Sequence, residues 1–218
     1  MRRLVVFDLD GTLVDSRQDL AASANDVLAA FGAQPLPVDQ VTCLVGDGAR
    51  ALVERALARA GVSADVDAAL AHFQKRYSAR MLETTRPYDG IDDALRAIGT
   101  SARLAVLTNK PLAPAVAVVE AFGWTGLLDG MIGGDGVHGR KPSPAGLRAL
   151  MAAAGASAAR TTLVGDSMVD VRTARAAGVA MCVAGWGFGR DRGDLELGGE
   201  EVVAGAPGDL PRLLADRP

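Results

Sequence analysis

The side chains of this sequence that could do chemistry stand at the ends of apolar runs or in the loops behind them. Asp8 and Asp10 lie one residue apart after the run at residues 4–7, and Gly11 and Thr12 follow at once. Thr108 and Asn109 follow the run at residues 104–107, Lys141 follows a glycine-rich stretch, and Asp166 and Asp170 follow the run at residues 161–164. Residues two apart on a strand point to the same side, so the Asp8 and Asp10 carboxylates can converge. Two anions so close repel, and either one is protonated or a cation sits between them. Carboxylates with open positions suit a hard octahedral cation such as Mg²⁺. The absence of a histidine or cysteine cluster argues against zinc. A metal, a hydroxyl and an ammonium together are what the oxygens of a phosphoryl group need around them.

Each feature has a plain alternative. Asp-Gly can be a turn after a strand, Thr108-Asn109 an ordinary loop, Lys141 a solvated side chain and Asp166 a helix cap. Their joint appearance at successive strand ends favours the chemical reading.

The elements that must position these groups follow from the hydrophobic pattern. Residues 4–7 read as a strand buried on both faces. Leu20, Ala24, Val27, Leu28 and Phe31 recur at helical spacing, with Asp15-Ser16 as a cap. A short apolar segment at 41–45 leads to Gly46-Asp47-Gly48, and helical patterns follow at 49–60 and about 65–82. That is too much helix for one crossover, so an inserted helical cap is expected over residues 16–84, with residues 1–15 and 85–218 forming the core. After Pro87 the pattern alternates: helix 91–98, strand 104–107, a helix opened by Pro111, strand 131–132, helix 144–154, strand 161–164, helix 168–177 and strand 180–184. Residues 186–199 read as a glycine-rich surface loop, 202–203 as an edge strand and 210–214 as a closing helix. The expected fold class is α/β: a Rossmann-like parallel sheet with helices on both faces, plus the α-helical cap.

At 218 residues, 49% of them hydrophobic, the chain can bury a substantial core. A formal net charge of −3 leaves no basic footprint for nucleic acid. Cys43 and Cys182 lie in apolar runs and read as small buried hydrophobes in a reducing compartment. Arg2 and Arg3 are followed too soon by Asp8 and Asp10 for a signal peptide, and no apolar stretch is long enough to span a bilayer. A cytoplasmic location without membrane attachment is expected. The lysines are only Lys75, Lys110 and Lys141, which makes each worth inspecting.

Two apparent phosphate-binding motifs fail their context. Gly46-x-Gly48-x-x-Ala51 matches a dinucleotide fingerprint, but the pattern after it forms no βαβ unit. Residues 134–139 have P-loop spacing, yet Arg140-Lys141-Pro142 replaces the required pair.

Phe7-Asp8-Leu9-Asp10-Gly11-Thr12-Leu13-Val14-Asp15-Ser16, Leu107-Thr108-Asn109-Lys110, Lys141-Pro142 and Val164-Gly165-Asp166-Ser167-Met168-Val169-Asp170 together resemble the four motifs of the haloacid dehalogenase-like phosphatases, in that family's order. Val45-Gly46-Asp47-Gly48-Ala49 and Ile132-Gly133-Gly134-Asp135 are similar to stretches of phosphoglycolate phosphatases. The resemblance implies that Asp8 attacks phosphorus and that Asp10 protonates the leaving alkoxide and then activates water. It also implies that Asp8, the backbone carbonyl of Asp10 and Asp166 hold Mg²⁺, with Asp170 in support. Thr108 and Lys141 would hold the phosphoryl oxygens, with the Asn109 amide assisting. The implied substrate is a small phosphate monoester, 2-phosphoglycolate first. Phosphatases of sugar phosphates, nucleotides or pyrophosphate, a phosphosugar mutase, and a catalytically silent interaction protein are the alternatives. The core groups see only phosphate, so selection falls to the cap, where Gly48 and Arg50 are the expected substrate contacts.

Overall fold

The computed structural model describes residues 3–189 and 195–215. Arg2 and part of the loop expected at 186–199 lie outside the described residues. Strand β1 (Arg3–Phe7) is followed by the short β2 (Val14–Asp15) and by four helices, α1 (Arg17–Ala30), α2 (Val38–Thr42), α3 (Ala49–Arg59) and α4 (Val66–Arg80). The chain returns through β3 (Arg86–Pro87) and then alternates: α5 (Ile91–Gly99), β4 (Ala102–Leu107), α6 (Leu112–Ala121), β5 (Gly130–Ile132), α7 (Ala145–Ala154), β6 (Thr161–Gly165), α8 (Met168–Ala177), β7 (Ala180–Ala184) and β8 (Val202–Ala204). A last helix, α9, spans Leu210–Ala215.

The main sheet has six parallel strands in the order β5-β4-β1-β6-β7-β8. β1 is central because its residues are apolar on both faces. Val5 and Phe7 join Ile91, Leu95 and Trp124 in one core cluster, while Leu4 and Val6 join Leu147, Leu163 and Val171 in the other. The chain moves outward from β1 through β4 and β5, then returns to β6 on the other side. The strand order therefore reverses at β1, where open α/β sheets place their ligand crevice, beyond the strands' C-terminal ends.

Helices α1, α3 and α4 form a separate unit around their own core, which includes Leu20, Leu28, Leu52, Leu57 and Phe73. Residues 41–45, read from the sequence as an apolar segment, are the end of α2 and the turn after it. β2 and β3 pair antiparallel, Val14 with Pro87 and Asp15 with Arg86, so the two connections between helical unit and sheet run side by side. This ribbon was not anticipated: each strand has two residues and one contains proline, which leaves no alternation to detect. Asp19 of α1 reinforces it. Its carboxylate, 2% exposed, accepts hydrogen bonds from the backbone N–H and hydroxyl of both Thr84 and Thr85. Burial would push that carboxyl up, but these donors outweigh burial and hold it below its ordinary value.

Two expectations need correction. Cys182 is buried, but Cys43 is exposed, because it caps the C-terminus of α2 facing solvent. Residues 186–189 are not a surface loop. Phe188 is fully buried in the helical unit's core, and a side chain at Gly189 would place its Cβ 1.7 Å from the Asp166 carbonyl oxygen. The glycine and charge content of that stretch concealed one aromatic that needed burial. No helix among the described residues is long and apolar enough to cross a membrane.

Candidate active site

The end of β1 is locked into its register before it turns. Asp8 donates its backbone N–H to Val164 of β6 at 2.9 Å, and Leu9, Gly11 and Val14 close a tight loop behind it. Gly11 has a φ of +86°, and a Cβ there would lie 2.6 Å from Asp166 Oδ2. Only glycine allows the turn and leaves room for that carboxylate.

Around this turn the strand ends converge. Lys141 Nζ lies 2.8 Å from Asp8 Oδ1 and 2.7 Å from Asp170 Oδ1. Asp170 does turn back from the first turn of α8: its Oδ2 accepts the Ser167 backbone N–H at 3.1 Å and the Ser167 hydroxyl at 2.6 Å, a capping box. Asp166 accepts from the Gly189 N–H at 3.0 Å and faces the Thr12 hydroxyl at 3.5 Å. Burial pushes the Asp8 carboxyl up to about 6; Lys141 opposes this and Asp170 adds to it. For Lys141 burial disfavours the ammonium, yet Asp170 and Asp8 outweigh it and keep the pKa above the ordinary lysine value.

Asp8, Asp166 and Asp170 each offer a carboxylate oxygen within 4.8 Å of one another. All three are acids on a parallel-sheet rim, with no histidine or cysteine among them, which is the donor chemistry of a hard, oxygen-seeking cation. The cluster fits Mg²⁺, with one difference in weight. Both Asp170 oxygens already serve Lys141 and Ser167, so Asp170 suits support, whereas Asp8 and Asp166 suit direct contact.

A cavity of about 200 Å³ opens above this cluster, between the helical unit and the sheet. Asp8, Asp10, Thr108 and Asn109 line its floor; Leu20, Phe73 and Tyr77 line its roof. Thr108 is buried, its hydroxyl accepting the Lys110 backbone N–H at 3.2 Å.

The structure separates several expected contacts. The Asn109 amide is committed elsewhere: it donates to the carbonyls of Gly46 and Lys141 at 2.9 and 3.0 Å, and its oxygen accepts the Lys141 N–H at 2.8 Å. It is a strut between loops rather than a donor aimed at phosphate. Gly48 lines the cavity as the residue capping α3. Arg50 does not: its side chain is half-exposed and pairs with Asp67 of α4 and with Glu54. Two residues beyond Gly48, it points along the surface, where Asp67 and Glu54 are at hand.

Lys110 and Tyr77 were missed as site residues. Lys110 Nζ lies 2.9 Å from both carboxylate oxygens of Asp10 and 2.6 Å from the Tyr77 hydroxyl, over whose ring it also sits at 4.6 Å. Burial disfavours its charge, but Asp10 and Tyr77 hold its pKa above the ordinary lysine value. The Ser16 hydroxyl, expected to cap α1, donates instead to Asp10 at 2.6 Å. The signal for Lys110 was present, since it directly follows Thr108-Asn109 in a chain with few lysines. No comparable signal marked Tyr77.

A family model described as haloacid dehalogenase-like hydrolase matches residues 5–184. A curated phosphoglycolate phosphatase (plasmid) of Cupriavidus necator is 37% identical over 213 residues, covering 96% of this chain and 92% of its own length. A phosphoglycolate phosphatase of Rhodospirillum rubrum is 40% identical over 199 residues, covering 88% and 83%. A crystal structure described as a predicted phosphoglycolate phosphatase from Haemophilus somnus superposes with a TM-score of 0.87 at 27% identity, over 97% of both chains.

Proposed function

The chain belongs to the haloacid dehalogenase-like hydrolases and is a phosphoric monoester hydrolase, and on that premise we propose that it hydrolyses 2-phosphoglycolate with Mg²⁺ through an aspartyl-phosphate on Asp8. The observation that carries this reading is the Asp8–Lys141–Asp170 contact, with Asp166 beside it, at the floor of a cavity of small-molecule size. The names of relatives similar over most of the chain support the choice of 2-phosphoglycolate.

In the first half-reaction an Asp8 carboxylate oxygen attacks phosphorus and the ester P–O bond breaks. Asp10 gives its proton to the departing alkoxide oxygen. In the second, Asp10 takes a proton from water as the water oxygen attacks phosphorus; the bond to Asp8 breaks and inorganic phosphate leaves. Lys141 offsets charge on the nucleophile and the phosphoryl oxygens together, and the Thr108 hydroxyl donates to one of those oxygens. Asn109 holds the Lys141 backbone in place for this. Mg²⁺ bound by Asp8, the Asp10 carbonyl and Asp166, with Asp170 in support, would screen the repulsion between carboxylate and phosphate. Leu20, Phe73 and Tyr77 form a largely apolar roof over these groups.

The test is phosphate release across small phosphoesters, with Mg²⁺ and with a chelator. Release should be fastest from 2-phosphoglycolate and stop on chelation. Equal release with and without the metal, or a sugar phosphate or nucleotide preferred by an order of magnitude, would overturn the reading.

A further inference from the structure

We propose that Lys110 is the residue that selects the substrate, its ammonium receiving the carboxylate of 2-phosphoglycolate while Tyr77 holds the ammonium from the helical unit. This rests on the proposed substrate and changes where its second anion binds: at the sheet edge beside Asp10, not at Arg50.

The argument begins with what lines the cavity. Away from Asp8 and Asp10 its wall is largely apolar, with Leu20, Val45, Leu52, Phe73 and Pro111 among the lining residues, and Lys110 is the cation among them. Arg50 is absent from that wall and spent on Asp67 and Glu54. Lys141 lies beneath the floor, held between Asp8 and Asp170, where the phosphoryl group needs it.

Position follows from the chemistry of the leaving group. Asp10 must reach the bridging ester oxygen to protonate it. In 2-phosphoglycolate the carboxylate is joined to that oxygen through a single methylene, so rotation about the ester C–O bond can bring it to a group that flanks Asp10. Two groups flank Asp10: the Ser16 hydroxyl at 2.6 Å, and the Lys110 ammonium at 2.9 Å from both oxygens, which is the one that carries charge. An ammonium has three donors. In the structure they are directed at the two Asp10 oxygens and the Tyr77 hydroxyl. When Asp10 turns an oxygen to the leaving group it gives up at least one of these contacts, and the freed donor faces the substrate carboxylate. Tyr77, stacked on Phe73 and almost fully buried, keeps the ammonium from following Asp10. A phosphate ester without the carboxylate leaves that donor without a partner in an apolar wall, which is how such a site discriminates.

The experiment compares kcat/KM for 2-phosphoglycolate with that for ethyl phosphate, of similar size but without the carboxylate, in the wild type, Lys110→Met and Arg50→Ala. The readout is the ratio between substrates, so a loss common to both, from disturbing Asp10, cancels. The wild-type ratio should be large. Lys110→Met should lower it about 10- to 100-fold, the scale of a charge-assisted bond in a buried site, and Arg50→Ala should leave it within about 2-fold. Where the methionine variant does not fold, Lys110→Gln carries the same expectation, since it keeps a polar, uncharged end one atom short of the ammonium position. A large wild-type ratio that survives in the Lys110 variants overturns this proposal alone. A wild-type ratio near one overturns the proposal and the 2-phosphoglycolate reading together.

Discussion

Asp8 and Asp170 share the Lys141 ammonium at 2.8 and 2.7 Å, so each of the three side chains depends on the other two. Replacing Asp8 by Asn keeps the shape and removes the proposed nucleophile; kcat should fall about 10⁴-fold or more, the scale for losing a covalent catalyst. In the wild type a beryllofluoride adduct should form on Asp8, and an adduct on any other residue would refute its role. The two remaining acids differ in what else they hold. Asp166→Ala should raise the Mg²⁺ concentration for half-maximal activity more than Asp170→Ala does. Asp170→Ala should instead destabilise the fold by about 3 kcal/mol, since it strips a buried lysine of one partner and breaks the Ser167 capping box. Mg²⁺ titrations and urea unfolding of both variants measure this, and superimposable titrations would reject the ranking.

Where the chain crosses between sheet and helical unit, the β2–β3 ribbon and the Asp19 hydrogen bonds join α1 to Thr84 and Thr85. Asp19→Ala leaves those donors without their acceptor and should cost about 2 kcal/mol at neutral pH. The sign of the pH effect follows from the lowered native pKa of Asp19. The unfolded chain binds the proton more readily, so the contribution is present above about pH 4 and fades as pH falls through the native pKa. Denaturant unfolding of wild type and variant should therefore differ most at neutral pH and converge in acid. A difference that is constant with pH would mean that the carboxylate charge is irrelevant there.

The cavity belongs to neither unit alone: Leu20, Phe73 and Tyr77 come from the helices, and Asp8, Asp10 and Lys110 from the sheet edge. Filling it should tie the two together. Mg²⁺ with inorganic phosphate at about 100 times the dissociation constant adds about 2.7 kcal/mol to the native state, which for a chain of this size raises Tm by roughly 5–10 °C. Thermal melts with both, with either alone and with a chelator should show the full shift only for the pair. A full shift with phosphate alone would place the anion away from the carboxylate cluster.

The sequence determined the sheet, its helices and the rim on which the chemistry sits. Short strands of five or six residues with apolar centres, leading into Asp8, Thr108 and Asp166, are local signals, because strand burial and the residue just past a strand end are set by neighbours in the chain. The helices between Ser16 and Thr84 were legible for the same reason, from the 3.6-residue periodicity of their apolar positions. Tertiary structure alone decided where the long side chains point. Lys110 meets Asp10 across 100 residues and Tyr77 across 33. Arg50 turns to Asp67, 17 residues on, and the Asn109 amide turns to the Gly46 carbonyl. A flexible charged or amide group takes whichever partner the packing of distant elements brings within hydrogen-bond reach, and no spacing along the chain encodes that choice.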